Sequence, residues 1–257
     1  MAGTQDSGRM DGEELALRFS YITNTLRFCG PVEAQDAFLR YLSKKDNAPE
    51  VKAAVHRFEG LYPYLHAIAE KAVRTLLDHD VTEAYWLGNS LLDGFNKQDM
   101  AAIIEHLARR GLPLSLAEKL IADLPEGFVP HHDFNVLYVG VGNTTGSVPS
   151  TLQNMENCRI SWGRVVDVLK NIVLVRARPL IEHEGLLALG TEETRTAIYL
   201  DAMLPDVAVG DIVALHWGMA CMKLDERQLK NLSHYAGKVL DTVNALRAKP
   251  CPTDATV

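Results

Sequence analysis

The hydrophobic pattern of this 257-residue chain changes character near residue 130, and that change constrains the fold more than any other feature. Before about residue 130 the apolar spacing is helical. Leu15, Phe19 and Ile22 share one face of a segment running toward Phe28. Ala54, Phe58 and Leu61 lead into Leu65, Ile68, Ala69, Ala72, Val73, Leu76 and Leu77 at i, i+3, i+4 and i+7. Asp80 to Glu83 and Ser115 to Glu118 read as capping boxes, and Gly111-Leu-Pro113 breaks the chain between two helices. The expectation for 1–130 is an irregular bundle of about five to seven helices.

A transition follows over 131–156. It holds His131-His132, a strand-like run from Phe134 to Val141, and a Gly/Asn/Thr/Ser stretch from Gly140 to Ser150 that reads as a loop. From Cys158 the period becomes that of strands. Val165 to Val168 and Ile172 to Arg176 flank Lys170-Asn171 as a hairpin, and 186–189, 194–200 and 211–215 supply three more strands. Five short strands in so few residues favour a small closed barrel, because closure removes exposed edges. Asp225-Glu-Arg-Gln228 caps a last helix whose apolar face carries Leu229, Leu232, Ala236, Val239, Leu240, Val243 and Leu246. The expected class is therefore α+β: an N-terminal helical domain, then an OB-like β-barrel with a C-terminal helix over 157–249, and a frayed tail over 250–257.

Composition narrows the functional classes. Hydrophobic content of 47% and charged content of 23% suit a folded globular chain. A net charge of -7 and 7% aromatics oppose nucleic-acid binding. No apolar run approaches the ~20 residues of a membrane helix. Met1 to Glu14 carries no apolar signal core, and the four cysteines (Cys29, Cys158, Cys221, Cys251) are widely spaced. A reduced, cytoplasmic location is expected. Phosphate-loop, dinucleotide, His-Glu-x-x-His and Gly-x-Ser-x-Gly motifs are absent.

The chemistry concentrates in two stretches of the barrel region, Cys158-Arg-Ile-Ser-Trp162-Gly163-Arg-Val165 and Val209-Gly-Asp-Ile-Val-Ala-Leu-His216-Trp217-Gly218-Met219-Ala220. Cys158 precedes a glycine that permits a bend, and His216 ends an apolar strand. One Cys and one His in such places suit a soft or borderline metal such as iron, an activated thiolate, or two packed core residues. Cys29, His131, His132 and Cys221 are additional donors to consider. Adjacent histidines on an extended segment point different ways, so at most one of His131 and His132 faces a given site. Cys221 reads as a small buried hydrophobe within possible reach of Cys158.

The two stretches together resemble the HypC/HupF chaperones of [NiFe]-hydrogenase maturation. The first matches their Cys, four residues, Gly-[Lys/Gln/Arg]-Val at Cys158, Gly163, Arg164 and Val165. The second matches Val-Gly-Asp-x-Val-x-Val-His-x-Gly-x-Ala at Val209, Gly210, Asp211, Val213, His216, Gly218 and Ala220, with Leu215 in place of a valine. The resemblance implies a small OB-like barrel and a non-enzymatic chaperone. It implies Cys158 as thiolate ligand and His216 as second ligand or orienter of an Fe(CN)2CO unit. It also implies a HypD-like iron carrier and the hydrogenase large subunit as partners, with Trp162, Gly163, Trp217, Gly218 and Met219 at the contact. Three departures stand out. Cys158 is internal and lacks the free terminal amine of the family's cysteine. Trp162 replaces a proline, and the likeness covers about a third of the chain. The N-terminal half is similar to helical domains that uncharacterised bacterial proteins join to such a barrel, at Phe28-Cys29-Gly30-Pro31, Arg57 to Tyr64 and Glu83 to Asn89. Its aromatics suit a partner groove or core packing. The alternative function is an interaction or regulatory module that has lost iron handling. A nucleic-acid-binding barrel and a thiol enzyme are further alternatives.

Overall fold

The computed structural model describes residues 9–248. The expected tail over 250–257, with Cys251, lies outside them, as do the first eight residues. Seven helices build the N-terminal half: α1 (Gly12–Thr25), α2 (Gln35–Lys44), α3 (Ala48–Val55), α4 (Tyr62–Ala72), α5 (His79–Trp86), α6 (Lys97–Ala108) and α7 (Leu114–Asp123). The spacing that ran unbroken from Ala54 to Leu77 is interrupted between α3 and α4, where Phe58 and Leu61 are buried in a turn. Neither expected capping box forms. Asp78, not Asp80, caps α5, and α7 starts at Pro113 without a side-chain cap. Capping boxes occur instead at Asn96/Asp99 on α6 and, as the sequence indicates, at Asp225/Gln228 on the last helix.

α1 is the seam of the molecule. Leu15, Ala16, Leu17 and Phe19 are fully buried, and the polar Glu14, Arg18 and Ser20 are largely so. A helix covered on every side must pair its charges internally. Arg18 accordingly holds Glu14 at 2.7 Å and donates to the carbonyls of Met203 and Cys221 in the C-terminal half. One core cluster runs from Leu15 to Val243. The stretch read as a transition belongs to that core: His131, His132, Asp133 and Phe134 are buried. Phe134 to Val141 is not a strand. Helix α8 (His132–Phe134) continues as a π-helical turn over Asn135–Gly140, and a buried helix presents the same unbroken apolar run as a buried strand. A loop follows, and then α9 (Leu152–Cys158).

The remaining elements are β1 (Ser161–Leu169), β2 (Ile172–Ala177), β3 (Leu180–His183), β4 (Leu186–Leu189), β5 (Glu193–Ile198), β6 (Ile212–His216), β7 (Met219–Lys223) and α10 (Glu226–Arg247). A closed barrel forms in the order β1-β2-β5-β7-β6, antiparallel except for the parallel β5–β7 contact, which is OB-like. The strand expected at Leu186–Leu189 is not in it and pairs with β3 in a separate hairpin. The fifth barrel strand is β7, whose first four residues are all buried, between the barrel interior and α1. Among the described residues, no helix is long and apolar enough to cross a membrane.

Candidate metal centre

Cys158 is the last residue of α9 rather than the mouth of a strand, and its thiol is placed by the turn into β1. His216 ends β6. The next two residues, Trp217 (φ 49°) and Gly218 (φ 71°), form the two-residue turn into β7, with His216 and Met219 paired. Positive φ at both positions is what such a hairpin turn demands, and glycine meets it without strain. His132 opens α8. These elements bring one donor atom each from His132, Cys158 and His216 within 4.8 Å of one another, and all three residues are buried. The Cys158 Sγ to His132 Nε2 distance is 3.7 Å. A tetrahedral ion with bonds of 2.0–2.3 Å places its ligand atoms about 3.3–3.8 Å apart, so small side-chain shifts suffice to close the set.

The two imidazoles are prepared differently. His216 Nδ1 lies 2.8 Å from the Phe19 carbonyl of α1, so that nitrogen carries the proton and donates it. Its Nε2 is left as a lone pair, fully buried and without a hydrogen-bond partner. An orphaned acceptor is costly and calls for an explanation, and the clustering of His216 with His132 and Cys158 offers one. His132 has partners on both nitrogens: the Tyr85 hydroxyl at 2.9 Å on Nδ1 and the Cys158 carbonyl at 2.9 Å on Nε2. Tyr85 also reaches the Gly60 carbonyl at 3.0 Å. With its proton on Nε2, His132 donates to Cys158 and accepts from Tyr85. With the proton on Nδ1, it donates to Tyr85, Tyr85 donates to Gly60, and Nε2 is free to ligate.

Burial governs the protonation of the site. It holds His216 neutral down to about 4. Burial, followed by the neighbouring His216, pushes His132 well below its ordinary value. Burial also pushes the Cys158 thiol far up, and only the Trp217 indole pulls it back. The pair is thus a neutral thiol beside neutral imidazoles. A nucleophilic cysteine needs the opposite, a thiolate stabilised by imidazolium, which weighs against the thiol-enzyme alternative. A metal would displace the thiol proton and supply the missing counter-charge.

A cavity of about 60 Å³ adjoins the three donors, walled by Phe28, Phe58, Leu61, Trp86, Val141 and Val148 among others. Such a volume admits a bound ion with a few small ligands or waters. The loop from Val141 to Val148 contributes one wall. At its Gly142 (φ 78°) a Cβ would fall 2.0 Å from the Val148 carbonyl oxygen, so only glycine permits that closure.

The other candidates fall in different places. Cys29 lines the same cavity, half-buried, but is not among the three clustered donors; burial raises its thiol to about 12. His131 faces away, its Nδ1 accepting from the Asp133 backbone N–H. Cys221 points elsewhere, its thiol 3.5 Å from the Met219 carbonyl, and packs as a small hydrophobe. Of the residues read as partner contacts, Met219 is fully buried, and Gly163 is buried on the wall of an outer-face groove beside Trp162. Trp217 is half-buried against Phe28, with ring centroids 4.6 Å apart, Gly218 is exposed, and Trp162 is half-buried under α10. Tyr85 and the Phe19 carbonyl are the supporting groups that sequence reasoning did not reach. A second group, His79, Asp80 and Glu83, has its charge already met by Arg9, Arg74 and Arg227.

Compared with known proteins, residues 8–250 match the model of a family described as "Family of unknown function (DUF6390)". No curated protein and no solved structure matches the chain.

Proposed function

The chain belongs to the DUF6390 family, whose description names no activity, and we propose that it is a non-enzymatic metal escort for [NiFe]-hydrogenase assembly. Its cargo is iron, as the Fe(CN)2CO unit, received on Cys158 and His216 with His132 as third donor. Its partners are the hydrogenase large subunit precursor and a HypD-like iron carrier, and the free thiols suit the reducing cytoplasm.

The observation that carries this reading is the bare, buried Nε2 of His216, on a histidine clustered with His132 and the Cys158 thiol. The two residues that the HypC/HupF resemblance singles out meet at one point. A thiolate with two imidazoles suits iron bearing strong-field ligands, and three protein donors leave positions open for ligands that travel with the ion. The helical half takes the part that a terminal amine cannot play here. It supplies His132's support through Tyr85, and it walls the cavity through Phe28, Cys29 and Trp86.

The test is anaerobic purification from a host that makes a [NiFe]-hydrogenase, with iron analysis and infrared spectroscopy. Cyanide and carbonyl bands on the wild type, absent from Cys158→Ser, support the reading. A Cys158→Ser chain that restores full hydrogenase activity in a deletion strain refutes it. The burial of all three donors favours one alternative, an interaction module without iron handling. That module stands if the chain binds neither iron nor cobalt yet still holds its partner.

A further inference from the structure

Away from the metal centre, the outer face of the barrel carries an open groove of about 350 Å³ between β1, β2 and α10. Arg164, Arg176 and Arg178 line it and are exposed, with Glu192 as an acidic residue on the same wall. Arg164 and Arg176 stand directly opposite each other on β1 and β2. Like charges in that position destabilise a sheet. Their neutralisation is incomplete. Arg176 has Glu192 at 3.4 Å, an exposed pair worth little. Arg164 donates to the Gly210 carbonyl, and Arg178 to the carbonyls of Leu189 and Gly190. Among the described residues, neither Arg164 nor Arg178 has a carboxylate partner. This concentration of positive charge belongs to a chain of net charge -7.

The groove does not end at the arginines. At Trp162 it adjoins a second hollow of about 190 Å³, lined mainly by Leu137, Leu180, Leu189, Ala236 and Leu240, with Asp133, Arg159 and Ser233 also on its wall. A basic mouth thus continues into a mainly apolar trough, with an aromatic ring at the junction. Trp and Arg are the residues that most often anchor protein contacts.

We propose that this groove is a docking site for an acidic segment of a partner protein that carries one apolar anchor residue. The carboxylates pair with Arg164, Arg176 and Arg178, and the anchor enters the trough past Trp162. A nucleic acid fits less well: the groove offers a single aromatic for stacking, its trough suits an aliphatic side chain, and the rest of the surface repels a phosphate backbone. The inference does not depend on the metal reading, since none of the three clustered donors lines the groove.

The test uses the full chain and a displayed library of random short peptides as probe. The expected result is enrichment of Asp/Glu-rich sequences with one Leu, Phe or Met at a constant spacing. A selected peptide, followed by fluorescence anisotropy, should bind about tenfold more weakly to Arg164→Gln/Arg176→Gln and to Trp162→Ala. Its affinity should also fall with rising salt. Circular dichroism checks that the variants are folded, and Cys158→Ser should bind the peptide normally. Three results would overturn the proposal: selected peptides without acidic enrichment, equal binding by the double variant, or a thymidine oligonucleotide that binds the wild type and not the double variant.

Discussion

Lowering the pH from 7 to 5 should destabilise this protein by at least about 3 kcal/mol, and the magnitude follows from two buried histidines, His131 and His216. In the unfolded chain each takes up a proton near 6.5. In the folded chain burial keeps His131 neutral to about 3 and His216 to about 4, and burial with His216 holds His132 well below its ordinary value. A base whose folded pKa is depressed contributes stability above its unfolded pKa and loses it as the pH falls toward the folded value. Proton linkage makes the loss by pH 5 about 2 kcal/mol each for His131 and His216, set by the unfolded pKa because the folded values lie well below 5, and His132 adds to it in the same direction. Asp133 works the other way. Burial raises its carboxyl to about 6, so the folded state gains its proton first and recovers about 1 kcal/mol over the same range. The net of about 3 kcal/mol, before the His132 contribution, is more than a hundredfold in the folded-to-unfolded ratio. Urea unfolding at constant ionic strength, followed by circular dichroism at pH 7, 6 and 5, measures it. A loss below about 1 kcal/mol, or imidazole resonances of the folded protein that titrate near 6.5, would refute the reasoning.

Other consequences can be checked singly. Cobalt(II) added to the metal-free chain should give a sulfur-to-metal charge-transfer band that Cys158→Ser lacks. One proton should be released per ion, so that affinity falls as pH is lowered. Tyr85→Phe leaves His132 Nδ1 without its partner, and the metal should bind roughly 10–100-fold more weakly at a stability cost of about 1 kcal/mol. Arg227 holds Glu83, whose side chain is 2% exposed, and tethers α10 to the helical half. Burial opposes ionisation there, but His79 and Arg227 hold the Glu83 carboxyl far below the usual range. Arg227→Ala removes the half-exposed partner of a buried carboxylate that keeps His79 and Gln228, and should cost about 1 kcal/mol in chemical denaturation, part of which Glu83→Gln restores in the double variant.

Local pattern determined much of this protein by itself. The switch of period near residue 130 separates helices from barrel, because side chains repeat every 3.6 residues on a helix and every two on a strand. The capping box at Asp225/Gln228 places α10, and the spacing around Cys158 and His216 marks both positions. Tertiary structure decided the rest. That Phe134 to Val141 is helical and Met219 to Lys223 a barrel strand is not legible locally, because most of each segment is buried and amphipathic periodicity vanishes there. Leu186 to Leu189 is strand but not barrel, since closure is a matter of pairing between distant segments. His132 joins Cys158 and His216, while its neighbour His131 turns away, only once α8, α9 and β6 pack together. No local sequence signal encodes that convergence, because it depends on how separate elements are held by the shared core around α1.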